Sequence, residues 1–280
     1  MPRRAAAAEI DEARARYAES ITRAAWATDP RIERAFATIP REGFLPPPPW
    51  TVFPPGGFFK TPTSDPKELY DDVLVVLDAR RGVNNGQPSL HAAWLGAVDP
   101  RPGETAVHIG AGSGYYTAIL AMLVVPLGFV HAYEIDPALA EIAKRNLACL
   151  DHVAMHAESA LGRPLPEADV VYVNAGLPAP DAAWLHALRP GGRLIFPWQP
   201  SGPGGVTLLV TRTPGGFVAK PTLSAGFVAC EGAGGDPRSS PPVPADAIER
   251  TRSVWLKQER APDETATAVY DEVWFSSAQV

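Results

Sequence analysis

A short apolar strand that breaks into alternate glycines and then into a helix constrains this chain more than any other feature. The stretch AVHIGAGSGYY at 106–116 sets Gly110, Gly112 and Gly114 between the strand pattern ETAVHI (104–109) and the helix pattern YYTAILAMLV (115–124). Glycine lets the backbone turn sharply and lets a ligand come close. The helix start that follows offers unpaired N–H groups and partial positive charge. A dinucleotide fingerprint needs a small residue at its sixth position, where helix and loop pack closely; that position here is Tyr115. The spacing suits S-adenosylmethionine instead, which has no phosphates and needs room for a methionine moiety. Gly110, Ala111, Gly112, Ser113, Gly114 and Tyr115 are therefore the first candidate cofactor residues.

Glu134 points the same way. It ends the next strand pattern, GFVHAYEI (128–135), twenty positions beyond Gly114, as one strand–helix–strand step requires. An acid at that tip accepts hydrogen bonds from both ribose hydroxyls, and Ile135 beside it joins the candidate set. The competing reading is a packing turn with a solvated Glu134; strand, helix and acid in this order favour the cofactor.

Around this unit the patterning alternates. DPALAEIAKRNLACL reads as a helix with Asp136 as N-cap and Pro137 at its first position. HVAMHA (152–157), DVVYVN (169–174) and GGRLIFP read as strands and DAAWLHAL as a helix. Alternating strands and helices predict a parallel, doubly wound α/β sheet. The Gly-Gly turn within 206–230 predicts antiparallel strands at one edge. Upstream, 5–27 and 30–38 read as helices, 46–66 as proline-rich loop, 73–78 as a strand, 79–88 as a loop and 89–98 as a helix capped by Ser89. Downstream, 231–244 reads as a Gly/Pro/Ser linker, 245–258 as a helix and 269–275 as a strand. The domain plan is an N-terminal covering region (1–100), a cofactor-binding core (101–230) and a C-terminal extension (231–280).

Several classes fall away. The net charge of −6 disfavours nucleic acid as a partner. Charges interrupt the N-terminal apolar runs, and no stretch of 18 apolar residues marks a membrane span. Cys149 and Cys230 form no disulfide or metal framework, which fits a reducing cytoplasm. His152 and His156 have no third metal ligand. NAGLP after the fourth strand argues against methylation of an exocyclic base amine.

These segments resemble the protein-L-isoaspartate O-methyltransferases, within the seven-strand, S-adenosylmethionine-dependent methyltransferases. The likeness runs from about 84 to 230, through NNGQPSLHAAWL, LGAVDPRPGETAVHIGAGSGYYTAILAML, ADVVYVNAGLPAPDAAWLHALRPGGRLIFP, GGVTLLVTRT and AGFVAC, with REGFLPPPPW (41–50) similar to the family's upstream Arg-x-x-Phe-x-Pro. It implies a Rossmann-like seven-stranded sheet and methyl transfer from S-adenosyl-L-methionine to a carboxylate, first of all of an (iso)aspartyl residue in a protein or peptide, the alternatives being a dedicated peptide or small-molecule acceptor or a non-catalytic cofactor-binding homologue. It also implies that Glu158 contacts adenine and that Asn84, Asn85, Gly86 and Gln87 form a substrate-facing loop, the alternative being a polar turn. Gly86 stands where the family usually carries its active-site serine, so no catalytic residue is carried over. The expectation at Gly86 is either space for a different acceptor or a lost hydroxyl replaced by Asn85, Gln87 or Ser89. His108 occupies a place where the family commonly has an acid, as a cofactor-side substitution or a tolerated strand residue. Two roles stay open for His91, the cofactor carboxylate or helix packing, and two for Asn174, a loop cap or the substrate pocket.

Overall fold

The computed structural model describes residues 2–53, 57–202, 204–233 and 243–280, with the side chains of 2–6 left aside. In chain order the elements are α1 (Pro2–Ala24), α2 (Pro30–Thr38), β1 (Thr51–Phe53), β2 (Phe59–Lys60), β3 (Leu74–Asp78), β4 (Val83–Asn84), α3 (Pro88–Val98), β5 (Thr105–Ile109), α4 (Tyr115–Val124), β6 (Phe129–Tyr133), α5 (Pro137–Asn146), β7 (Val153–His156), β8 (Ala168–Val173), α6 (Ala182–Ala187), β9 (Leu188–Trp198), β10 (Gly205–Thr213), β11 (Gly216–Ala225), α7 (Ala245–Arg250), β12 (Ser253–Leu256), β13 (Ala266–Val269) and β14 (Val273–Ser276). Contacts divide the chain into one unit of Met1–Gly103, Ala111–Phe129 and Asp136–Met155, and a second of Glu104–Gly110, Val130–Ile135 and His156–Val280.

The large sheet runs in the order β13-β14-β12-β11-β10-β9-β8-β5-β6-β7. In the second unit β5 pairs with β8, and β8 with β9, in parallel, while β9, β10 and β11 are antiparallel neighbours. This is the α/β architecture expected, with ten strands where seven were anticipated. The addition is β12–β14, which continues the sheet beyond β11. Its apolar residues enter the same core: Val254 and Phe275 are fully buried, and Phe275 stacks on Trp198 with ring centroids 4.3 Å apart. Each such side chain removed from water contributes about 1.5–3 kcal/mol.

The first unit packs α1 on α2 and α3, and α2 on α4. Phe36 meets the rings of Tyr17, Tyr115 and Tyr116 there. A four-stranded sheet, β2-β1-β3-β4, lies in the same unit.

Some expectations need correction. The helix expected over 245–258 stops at Arg250, because Ser253–Leu256 pair with β14 and with β11, contacts that local propensity does not contain. The strand expected over 269–275 is the β13–β14 hairpin. The loop expected over 46–66 contains β1 and β2. The cap of α3 is Gln87 rather than Ser89, with Pro88 at the first helical position. Asp136 caps α5 as expected, accepting from the Leu139 amide at 2.8 Å. Of the linker expected over 231–244, residues 234–242 lie outside the described residues. No helix among the described residues is long and apolar enough to cross a membrane.

Candidate active site

In the second unit the ends of β5, β6 and β8 are tied by backbone hydrogen bonds. Gly110 N donates to Tyr133 O at 2.9 Å, Asn174 N to Ile109 O at 2.8 Å, and Glu134 N to His156 O at 3.1 Å. Glu134 is buried at this junction, while Ile135 beside it is exposed. Gly110 has φ +76°, and a Cβ there would lie 3.3 Å from Asn174 O. Only glycine fits such a turn without strain. Glu158 pairs with Arg163. The Tyr133 ring stacks on His156 at 4.5 Å, and His156 shares a hydrogen bond with His131 at 3.3 Å. Burial lowers the pKa of both imidazoles.

Asn174 Nδ2 lies 2.8 Å from Nε2 of His108, which is fully buried and whose pKa burial pushes down to about 3. Gln199, which sequence reasoning missed, clamps the segment after β11: its Oε1 accepts from Phe227 N at 2.7 Å and its Nε2 donates to Phe227 O at 3.3 Å. Gly176 and Cys230 exchange a backbone bond beside that clamp, Cys230 N donating to Gly176 O at 2.9 Å. Burial pushes the Cys230 thiol up to about 12, with the Glu134 charge adding to the shift.

In the first unit the rest of the glycine loop closes on itself. Gly114 N donates to Ala111 O at 2.9 Å, and Asn146 Nδ2 holds Ser113 O at 2.9 Å. Gly112 and Gly114 have φ +57° and +96°. A Cβ on Gly114 would come within 3.0 Å of Leu147, whereas one on Gly112 would meet only Leu77, at 3.6 Å. The Tyr115 side chain is buried against Phe36, Phe44 and Tyr116, so its ring packs α4.

The 84–89 loop belongs to the same unit and is pinned by side chains. Asp72 accepts from Ser89 N at 2.8 Å, Ser89 Oγ at 2.6 Å and Gln87 Nε2 at 2.8 Å. Asn85 is buried, its Oδ1 accepting from Arg41 Nη2 and from Val75 N, both at 3.1 Å. Arg41, fully buried, also donates to the carbonyls of Leu69 at 2.8 Å and Val73 at 2.6 Å. Asn84 Oδ1 accepts from Gly86 N at 2.9 Å. His91 is buried and stacks on Tyr116 with centroids 3.5 Å apart. Asp72 and Arg41 were missed by sequence reasoning; the only signal was the position of Arg41 in REGFLPPPPW. Among the described residues no group of three or more His, Cys, Asp or Glu could hold a metal ion.

The family profile for protein-L-isoaspartate(D-aspartate) O-methyltransferase matches residues 17–233. The chain belongs to this family. Its members are S-adenosyl-L-methionine-dependent methyltransferases. A protein-L-isoaspartate O-methyltransferase of Aeropyrum pernix is 32% identical over 192 residues, 66% of this chain and 66% of that one. One of Methylorubrum populi is 32% identical over 203 residues, covering 71% of this chain and 84% of that one. A solved protein-L-isoaspartate O-methyltransferase superposes with a TM-score of 0.66 at 22% identity, over 92% of this chain and 86% of that one. A structure from Plasmodium falciparum, in complex with S-adenosyl-L-homocysteine, superposes with a TM-score of 0.63 at 19% identity, over 77% of this chain and 97% of that one.

Within this methyltransferase family, Gly86 gains a reason that neither expectation contained. Its φ is +74°, and a Cβ there would fall 2.2 Å from His91 Nε2. The imidazole of His91 fills the space that a side chain at 86 would need.

Proposed function

We propose that this chain transfers the methyl group of S-adenosyl-L-methionine to the free carboxylate of an isoaspartyl residue in a protein or peptide. The observation that carries the reading is the run of three alternate glycines, Gly110, Gly112 and Gly114, all at positive φ between β5 and α4. Buried Glu134 at the end of the neighbouring strand fits the same ligand. The space over Gly112, where a Cβ would meet only Leu77 among the described residues, fits a ligand lying against the backbone.

In this reading Glu134 accepts from the ribose hydroxyls, with Ile135 and Glu158 toward the adenine. The backbone of Gly110–Tyr115 runs along the methionine end, with His91 toward its carboxylate. Asn84, Gly86, Gln87 and Asn174 face the acceptor, and Asn85 supports their loop from the interior. S-adenosyl-L-methionine supplies a methyl group on a sulfonium, a leaving group already activated by its positive charge. A carboxylate is nucleophilic at neutral pH without a general base, since its unperturbed pKa is about 4. The residues therefore have to align the reactants and exclude water, which together can lower a barrier by roughly 7–11 kcal/mol. A hydroxyl at position 86 is dispensable on this account.

Labelled methyl transfer to an isoaspartyl peptide and to its aspartyl isomer tests the proposal. Label on the isoaspartyl peptide alone, released by mild base as an ester, is expected. Base-stable label, or none on either peptide, overturns it.

A further inference from the structure

We propose that His108 is a positioning residue, holding the Asn174 carboxamide so that its oxygen faces an N–H donor of the bound ligand. The inference rests on the cofactor site proposed above. β5 and β8 pair in parallel with His108 opposite Tyr172, so Asn174, two residues further on, stands on the same face as His108. The His108 ring lies edge-on to Tyr172 at 5.6 Å, and its Nε2 is 2.8 Å from Asn174 Nδ2. Asn174 turns its amide nitrogen to the ring, an arrangement that requires Nε2 to accept and the neutral imidazole to carry its proton on Nδ1, the tautomer on which the proposal depends. Burial keeps it neutral, with a pKa of about 3, through the working pH range.

With its proton on Nδ1, the imidazole holds the amide nitrogen toward the ring and turns the amide oxygen away from it. Asn174 Oδ1 is then a buried acceptor with no hydrogen-bond partner among the described residues. Such an atom is costly to leave unmatched, and a ligand donor is one of the few things that explains it. Its place agrees. Asn174 directly follows β8, its N–H is bound to Ile109 O, and its backbone and Cβ bound the space beside Gly110. Ligands of parallel α/β sheets bind at these carboxyl ends of the strands. A valine would pack a buried parallel strand equally well, so packing alone does not call for a histidine at 108. Two donors share the required chemistry: the ammonium of the cofactor's methionine end and a backbone amide of the acceptor peptide.

The test compares the parent with His108→Leu, which cannot accept from Asn174, and His108→Gln, whose Oε1 can. Calorimetric affinity for S-adenosylhomocysteine and the KM for isoaspartyl peptide are measured for each. His108→Leu is expected to lose about tenfold in one of them, equivalent to about 1.4 kcal/mol. A loss in homocysteine-ligand affinity identifies the ammonium; a rise in peptide KM alone identifies the acceptor amide. His108→Gln should recover most of that loss. Asn174→Ala, which leaves the strand core intact, should reproduce it even if His108→Leu folds poorly. In the parent, imidazole nitrogen NMR should show Nδ1 protonated and Nε2 bare. A parent that fails to bind S-adenosylhomocysteine overturns the cofactor site and this inference with it. A parent that binds, with Asn174→Ala and a folded His108→Leu unchanged in both measurements, overturns this inference alone, as does a proton on Nε2.

Discussion

The glycine loop at 110–114 and the polar loop at 84–89 are held in place by opposite means. The first is fixed almost wholly by main chain: Gly110 N to Tyr133 O, Asn174 N to Ile109 O, Gly114 N to Ala111 O. The second is fixed by side chains reaching in from Arg41, Asp72 and Tyr116. A loop held by its own backbone needs only glycines in the right places, and strand and helix on either side enforce them. A loop held by side chains depends on residues far away in sequence, and one lost partner leaves buried polar groups unmatched. The two regions should therefore fail differently: the first by losing ligand, the second by losing order.

Gly112→Val should give the largest effect. Valine at φ +57° is strained by roughly 1–2 kcal/mol, and its side chain enters the open space over the loop. Binding of S-adenosylhomocysteine should fall beyond detection in calorimetry while the circular dichroism spectrum stays native. Native affinity in this variant would erase the contrast between the two loops.

Arg41→Met should do the reverse. It strips the carbonyls of Leu69 and Val73 of the Arg41 donor, at about 1–3 kcal/mol for each buried group left unpaired, and leaves the Asn85 oxygen only its bond from Val75 N. We expect a loss of about 3 kcal/mol or more in denaturant unfolding and early proteolysis within 69–89, with cofactor affinity retained by the folded fraction.

Gly86→Ser sharpens the comparison. Serine at φ +74° is strained, and its Cβ overlaps His91 Nε2, so a cost of about 1–3 kcal/mol is expected. Methyl transfer should drop rather than recover. Combining it with His91→Ala should restore part of the stability, as read by the denaturation midpoint; no recovery would remove His91 as the reason for glycine.

These differences track what could be read beforehand. The glycine turn at 110–114 and the Asp136 cap were legible because each is set within a few residues of itself. Ser89 was misread as a cap because Asp72, seventeen positions upstream, takes both its amide and its hydroxyl. The 253–256 strand was misread as helix because its partners lie in β11 and β14. Arg41 carried no local sign of burial, since its partners are 28 to 44 residues away.

The two loops leave pH dependence to a third group, the imidazole of His108. His108 has a folded pKa of about 3 against an ordinary 6.5, so between those values the unfolded chain binds a proton that the folded chain does not. Its contribution to stability is complete above pH 6.5 and is lost as pH falls toward 3. His131 and His156, also lowered by burial, add in the same direction. His108→Leu should therefore unfold with a shallower pH dependence than the parent across this window, by up to about 1.4 kcal/mol per pH unit. Parallel curves would mean that His108 is not held neutral by burial.

In the proposed cofactor site the backbone-held loop and Glu134 bind the ligand together. Calorimetric titration of S-adenosylhomocysteine into the parent and into Glu134→Ala measures this directly. Two charge-assisted hydrogen bonds to the ribose, each contributing about 1.5–3 kcal/mol, are removed in the variant. Saturable binding to the parent is expected, with affinity at least tenfold weaker in a variant of unchanged melting temperature. Equal affinity in the two proteins, or none in the parent, would contradict the proposed site.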